Sequence, residues 1–440
     1  MKKLTGYIAM AVMLIVAASC SKSGNDDSSS LLRTIPADAS SVVILNLQET
    51  VESFGGKTDG TTIQLPDDIR KMVSGSQAVS DRNKQIFDDI CAGETGVSIT
   101  SLAFFSSARQ YITGLLNDPE KFGSYIVKMS GNPADSTATP VSVVDENGAK
   151  LIGRNIVVID NQFWMCTEGT PDIEQLKYYQ KLNDKQSYAS SETAPLLLEE
   201  GKVVTYVADI QRTFARMGQS TYLRMGASLM FKDMAYIAGT AHFEKKNLVS
   251  ASKVLDSDMR PAELLLPTEK IDPSVVKSLN RNGDVFFAAG VPQKLSKKIT
   301  GALTSVFGGN NSMLTSLEQI DGTIAACFDL SGRSLQAVIS TTGKDFTTLS
   351  NTLQMIPGLG VTRDGDRLTV KYGDTGVAEG ALTAEVAASR LKGAWIGCVS
   401  SDVPSKGMNT VARLVPDNKS LRLDIEIEGG LEALTTALLK

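Results

Sequence analysis

Histidine is almost absent: the 440-residue chain has one, His242. A Ser-His-Asp triad would have to use that residue, and a cluster of imidazole metal ligands cannot be built. His242 lies in "GTAHFEKK" at the end of a strand-like run, where an edge-strand or turn role accounts for it. No Gly-x-Ser-x-Gly elbow is present, so the usual hydrolase nucleophile turn is missing as well. The five cysteines never show Cys-x-x-Cys spacing, which removes zinc-ribbon and thioredoxin-like chemistry. Two tryptophans and 6% aromatics leave few platforms for stacking on sugars or bases. Acids outnumber bases 49 to 44, a balance that repels phosphate backbones and argues against nucleic acid as a partner.

No apolar run is long enough to cross a bilayer as a helix. Tyr7 to Ala18 spans twelve mostly apolar residues, ~18 Å of helix against a hydrocarbon core of ~30 Å. Lys2 and Lys3 precede it and small residues end it, the pattern of an export signal over residues 1–19. Val16-Ala17-Ala18-Ser19-Cys20 resembles the lipobox of bacterial lipoproteins. That resemblance implies cleavage before Cys20, diacylglycerol on its thiol, acylation of the new amine and a membrane partner. Each buried CH2 of those chains would contribute ~0.8 kcal/mol to anchoring.

Residues 20–33 read as a disordered tether, because the Ser-, Asp-, Gly- and Asn-rich stretch 21–30 offers little apolar surface to bury. Ten flexible residues span ~17 Å r.m.s.. Lys22 with Asp26 and Asp27 is similar to the export signal of Bacteroidetes-type surface lipoproteins, but the acids come late. The expected location is therefore the outer membrane, lipid-anchored, on its periplasmic or cell-surface face. Without Lys2 and Lys3 the mature chain carries 42 bases and 49 acids, a net charge near −7. Export permits disulfides among Cys91, Cys166, Cys327 and Cys398. Three of these lie in apolar strand-like runs, where a free thiol packs as a small hydrophobe.

The body reads as an α+β fold. "SVVILNL" (41–47) follows Ile35-Pro36-Ala37-Asp38-Ala39-Ser40, and similar apolar runs before polar turns recur at 202–217, 284–299 and 394–407. Strand–strand–helix modules recur at 101–126, 235–255, 323–353 and 410–439. The clearest strand alternates Leu421, Leu423, Ile425 and Ile427 with Arg422, Asp424, Glu426 and Glu428. Asn147-Gly148 and Asp364-Gly365 mark tight hairpins. The order predicts antiparallel sheets with helices packed on one face, in an internally duplicated β-α-β-β-α arrangement with halves at 34–278 and 279–440. The competing reading is the ordinary rhythm of any α+β chain.

Other motifs reduce to structure. Ser389-Arg390-Leu391-Lys392 matches Ser-x-x-Lys but lacks companion motifs and suits a helix end. Asp364-Gly365-Asp366 and Asp145-Glu146-Asn147 lack the remainder of a calcium loop. Gly343-Lys344 has no upstream glycine of a phosphate loop. Phe214, Met217, Tyr222, Met225 and Leu229 form a helical stripe that suits a core face, and Trp164 and Trp395 sit in apolar runs. Asp135-Ser136-Thr137 resembles the O-glycosylation motif of exported Bacteroidetes proteins, with Ser136 as the sugar carrier.

The lipobox, the short polar tether and "IPADAS" running into a strand together resemble an uncharacterised family of Bacteroidetes lipoproteins with a domain of unknown function. The resemblance implies location and class and brings no active site. No catalytic residue, metal ligand or cofactor is assigned. The expected function is a non-enzymatic envelope lipoprotein that binds a protein or glycan ligand. The alternatives are a carboxylate-dependent glycan or peptide hydrolase and a purely structural envelope component.

Overall fold

A computed structural model describes residues 24–75, 80–130, 141–146, 148–216, 234–244, 247–263, 269–279, 281–307, 316–329, 333–340, 347–373, 382–401, 409–417 and 420–428. The first part runs α1 (Gly24–Arg33), β1 (Ser41–Asn46), α2 (Leu47–Glu52), β2 (Lys57–Thr58), β3 (Ile63–Gln64), α3 (Asp67–Gly75), α4 (Asp81–Cys91), β4 (Val97–Ser106), β5 (Gln110–Leu116) and α5 (Pro119–Ser130). Two hairpins follow, β6 (Val143–Glu146) with β7 (Ala149–Ile152), and β8 (Ile156–Ile159) with β9 (Gln162–Cys166). Then come α6 (Ile173–Gln180), α7 (Ala194–Leu197), β10 (Val204–Asp209), α8 (Ile210–Arg216), β11 (Tyr236–Glu244) and β12 (Asn247–Leu255). The second part runs α9 (Pro273–Lys277), β13 (Val285–Val291), α10 (Gln293–Phe307), β14 (Gly322–Asp329), β15 (Ser334–Ser340), α11 (Thr347–Gln354), β16 (Leu359–Asp364) and β17 (Arg367–Tyr372). It closes with α12 (Ala384–Leu391), β18 (Ile396–Ser401), β19 (Asn409–Asp417) and β20 (Ser420–Ile427).

The fold is α+β. Eighteen strands form one sheet, β6-β7-β8-β9-β5-β4-β1-β10-β11-β12-β20-β19-β18-β13-β14-β15-β17-β16, with β2–β3 as a separate pair. Every paired strand is antiparallel, as short hairpin links allow. Counting outward from the β12–β20 pair, the pattern is the same in both directions. A three-strand meander comes first, then β1 or β13, then the hairpin β4–β5 or β14–β15. The hydrogen bonds match as well. Ser40 N donates to Ser106 O (2.7 Å) as Asp284 N does to Phe328 O (2.8 Å). Asn46 N donates to Val203 O (2.8 Å) as Gly290 N does to Trp395 O (2.8 Å).

Helices cover both faces of the sheet, where the sequence suggested one. Strand alternation explains this, because both sets of side chains are apolar. On one face Leu45, Leu102, Ile112 and Phe163 pack with residues of α2, α4 and α5. On the other Val42, Ala103, Tyr111 and Trp164 pack with α1 and α6. In the second part α9 and α12 cover Phe286, Ala325 and Val399, and α11 covers Ile339 and Leu368 on the opposite face. Val275 and Val276 of α9, which precede the expected boundary at 278/279, belong to this second core.

The tether expected over 20–33 is helix from Gly24 onward. Leu31 and Leu32 are fully buried, and the Ser28 and Ser101 hydroxyls lie 2.7 Å apart. Composition pointed to disorder because eight polar or small residues outnumber two leucines in α1. A helix needs only one apolar strip to dock.

Cys91, Cys166, Cys327 and Cys398 are free thiols, the first three buried. A buried ion pair joins Arg281 to Asp329. Arg281 Nη2 lies 3.1 Å from Asp329 Oδ2 and 2.5 Å from Ser334 Oγ, with Arg281 and Asp329 both under a tenth exposed.

Candidate functional site

The "IPADASS" segment fixes one wall of a cleft at the start of β1. Ile35 is buried, and its carbonyl accepts from Tyr188 N (2.7 Å) while Ala37 N donates to Gln186 O (2.8 Å). Ala39 N closes a turn onto Pro36 O (3.0 Å). These bonds deliver Ser40 and Ser41 to the start of β1. Register then places Ser41 opposite Ser106 at the end of β4, and Ser106 opposite Gln110 at the start of β5. Asp209, at the end of β10, holds this wall from behind, its N–H donating to Ser40 O (2.8 Å). Its carboxylate accepts from Arg212 N (2.9 Å) in the first turn of α8, and Arg212 Nη1 donates to Ala37 O (3.3 Å).

The cleft so formed encloses about 430 Å³ between Ser40, Ser41, Ser106, Ala108, Gln110, Glu168 and Thr213. Ser40 Oγ donates to Ser106 O (3.2 Å), and Thr213 Oγ1 donates to Ser40 O (3.4 Å). Thr167 Oγ1 donates to Gln110 Oε1 (3.4 Å). The lining offers four hydroxyls, one carboxamide and one carboxylate. Such groups exchange hydrogen bonds with another polar surface without needing a metal or cofactor.

In the second half three of the matching positions are apolar, while Ser40 is matched by the buried Asp284. Val285 pairs with Phe328 as Ser41 pairs with Ser106. Phe328 pairs with Leu335 as Ser106 pairs with Gln110. Leu335 in turn faces Tyr372, which is 46% exposed. The same backbone geometry thus carries serines and glutamine at one end and valine, phenylalanine, leucine and tyrosine at the other.

Other residues singled out in the sequence scatter. Cys20 and Ser136 lie outside the described residues, as do Gly343-Lys344 and most of the methionine stripe; Met234 beyond that stripe is buried. His242 sits in β11, an interior strand between β10 and β12 rather than an edge strand. Its Nε2 lies 3.2 Å from Glu244 Oε1 and Val249 is its cross-strand neighbour. Ser389 belongs to the last turn of α12, and Arg390 beside it pairs with Glu428. Asp364-Gly365-Asp366 is the β16–β17 turn, with Gly365 at φ +57°, and Asp145-Glu146 ends β6. Trp164 and Trp395 are buried at 0% and 2% exposure, so neither offers a stacking surface. Among the described residues no three His, Cys, Asp or Glu side chains converge as a metal site.

A second opening, between α4, α5 and the sheet, is a void of about 20 Å³ lined by Ile86, Leu102, Phe122 and Phe163 among others. That holds one water at most, and an apolar lining keeps it dry.

No family model matches the chain, and no curated protein matches it. Among solved structures, crystal form I of TP0453 is similar at 9% identity and a TM-score of 0.25, covering 81% of this chain and 95% of its own. Crystal forms III and IV of TP0453 each align at 8% identity and a TM-score of 0.27, over 81% of this chain and 96% and 94% of theirs. Likeness at that level carries no argument about fold or function.

Proposed function

We propose that this protein is a non-enzymatic lipoprotein of the outer membrane, anchored through acyl chains on Cys20, that binds a polar ligand in the cleft at the start of β1. The ligand is a glycan or an extended peptide, both rich in groups that pair with hydroxyls and a carboxamide. A periplasmic or cell-surface face serves equally well, and Ser136 is the proposed carrier of an O-linked sugar. We also read the halves on either side of the β12–β20 pair as an internal duplication, supported by their matching strand pairings.

One observation carries the binding reading. The hydroxyl lining is not demanded by the backbone, because the matching strands accept Val285, Phe328 and Leu335. The hydrolase alternative asks for two carboxyl groups about 5–10 Å apart; among the described residues that line the cleft, Glu168 carries one.

The test is a thermal-shift screen of the mature protein against envelope oligosaccharides and peptides, repeated on Ser41→Val and Glu168→Gln. A ligand present at about 100-fold its Kd stabilises the folded state by ~2.7 kcal/mol. That shift should fall in both variants while their unliganded melting points stay put. Product formation abolished by Glu168→Gln would reject the non-enzymatic reading. No shift with any ligand would favour the structural-component alternative.

A further inference from the structure

Anchored lipoproteins are usually pictured as bodies floating on a leash, but here the folded body begins almost at the anchor. Gly24 opens α1, four residues after Cys20. Four residues reach at most ~14 Å when fully extended. From Gly24 to Ser28 the helix adds ~6 Å. Ser28 is already buried at 3% exposure and meets the Ser101 hydroxyl of β4 at 2.7 Å. Leu31 and Leu32 are locked into the same core as Phe105 and Trp164. Thr34 Oγ1 accepts from Gln162 Nε2 at 3.0 Å, and the next residues lead directly to Ser40 and the cleft. Covalent length alone therefore limits how far the β4 face can stand from acyl chains on Cys20, to ~20 Å.

We propose that the body is docked on the lipid surface with the α1 side of the sheet facing it, α1 acting as a rigid strut. This rests on the reading of Cys20 as lipidated. The partner is the bilayer itself, because the three residues between Cys20 and Gly24 keep the start of α1 within ~14 Å of the anchor.

Trp164 is a built-in reporter, because it packs in the cluster that holds Leu31 and Leu32. The full lipidated protein, with Trp395→Phe to leave one donor, is placed in phosphatidylcholine vesicles containing dansyl-headgroup lipid. It is compared with a form carrying twenty Gly/Ser residues inserted between Ser23 and Gly24, which adds ~25 Å r.m.s. of reach. Energy transfer from Trp164 should be at least about twofold stronger without the insertion, given that added reach. Equal transfer in the two forms overturns the docking. A second measurement needs no tryptophan change: trypsin cleavage after Lys22 should be about tenfold slower on vesicles than in the inserted form, because access there requires the body to lift. Equal cleavage rates also overturn the docking. Intact mass separates the two layers of inference. A chain without lipid mass on Cys20 removes the anchor on which the proposal rests, whereas a lipid-bearing chain with equal transfer removes the docking alone.

Discussion

Replacing Leu32 with Ala distinguishes a strut from a leash without any membrane. If residues 24–33 hung free, the change would leave stability alone. Leu32 is instead wholly buried among Val42, Phe105, Trp164 and Leu176. Removing water-excluded leucine carbons forfeits about 1.5–3 kcal/mol of transfer energy, and the cavity left behind raises such losses to about 2–5 kcal/mol. A helix lying on a sheet can settle slightly into the gap, so about 2–3 kcal/mol is expected here. Leu31→Ala should act alike, and the double variant should lose about 4–5 kcal/mol, short of strict additivity because the two share one cluster. Ser28→Ala should cost about 1 kcal/mol through the hydrogen bond to Ser101. Arg33→Ala, at an exposed position, should stay within about 0.5 kcal/mol. Urea unfolding of the mature chain, followed by tryptophan fluorescence, reads all five. Leu32→Ala within 0.5 kcal/mol of the parent would refute the docking of α1.

Two further predictions concern buried ionisable groups. Arg281→Met leaves Asp329 under cover without its cation, at a loss of about 3–5 kcal/mol. Arg281→Met with Asp329→Leu should recover most of that loss in the same urea assay, and a double variant no better than the single would sink the ion-pair account. Burial pushes the Cys91 and Cys327 thiols up to about 11, with Arg70 and Arg281 respectively opposing it in part. A folded-state value above the unfolded one of 9.0 means the native protein holds the proton more tightly. This contribution is complete below pH 9 and is lost as pH rises towards 11, on the order of 3 kcal/mol per thiol. Melting points should drop across that window, and less steeply in Cys91→Ala. Parallel pH profiles for the two proteins would contradict the assignment.

Strand existence was legible because alternation is local. Leu421 to Ile427 reads as a strand from four apolar and three charged residues, and it is β20. The hairpins at Gly148 and Gly365 were legible because a positive φ asks for glycine. What lay beyond reach was which elements share a face. A strand covered on both sides reads as a near-continuous apolar run, as Val42 to Leu45 does, but such a run does not say which helices cover it. Val43 and Phe104 carry no mark of the helices above them. Helix α1 was missed for the complementary reason: composition averages over ten residues, while docking depends on two. The cleft was invisible except for Ser40 and Ser41, because Ser106, Gln110, Glu168 and Thr213 belong to no motif and meet only through strand register.

The proposed binding reading looks to the cleft rather than to the thiols or His242. Cys327 and Cys166 are packed as hydrophobes, and His242 touches Glu244 on the same strand; stability or local pairing accounts for each. Ser106, at the end of β4, lines the cleft instead. Phe328 stands in the matching position with the same antiparallel partners and the same backbone bond to the preceding strand. A phenylalanine would serve the sheet at least as well as Ser106, since β-branched and aromatic residues favour strands. Keeping hydroxyls at Ser40, Ser41, Ser106 and Thr213 around an open volume forfeits apolar burial on that rim, and contact with a polar ligand is the recovery that the geometry offers.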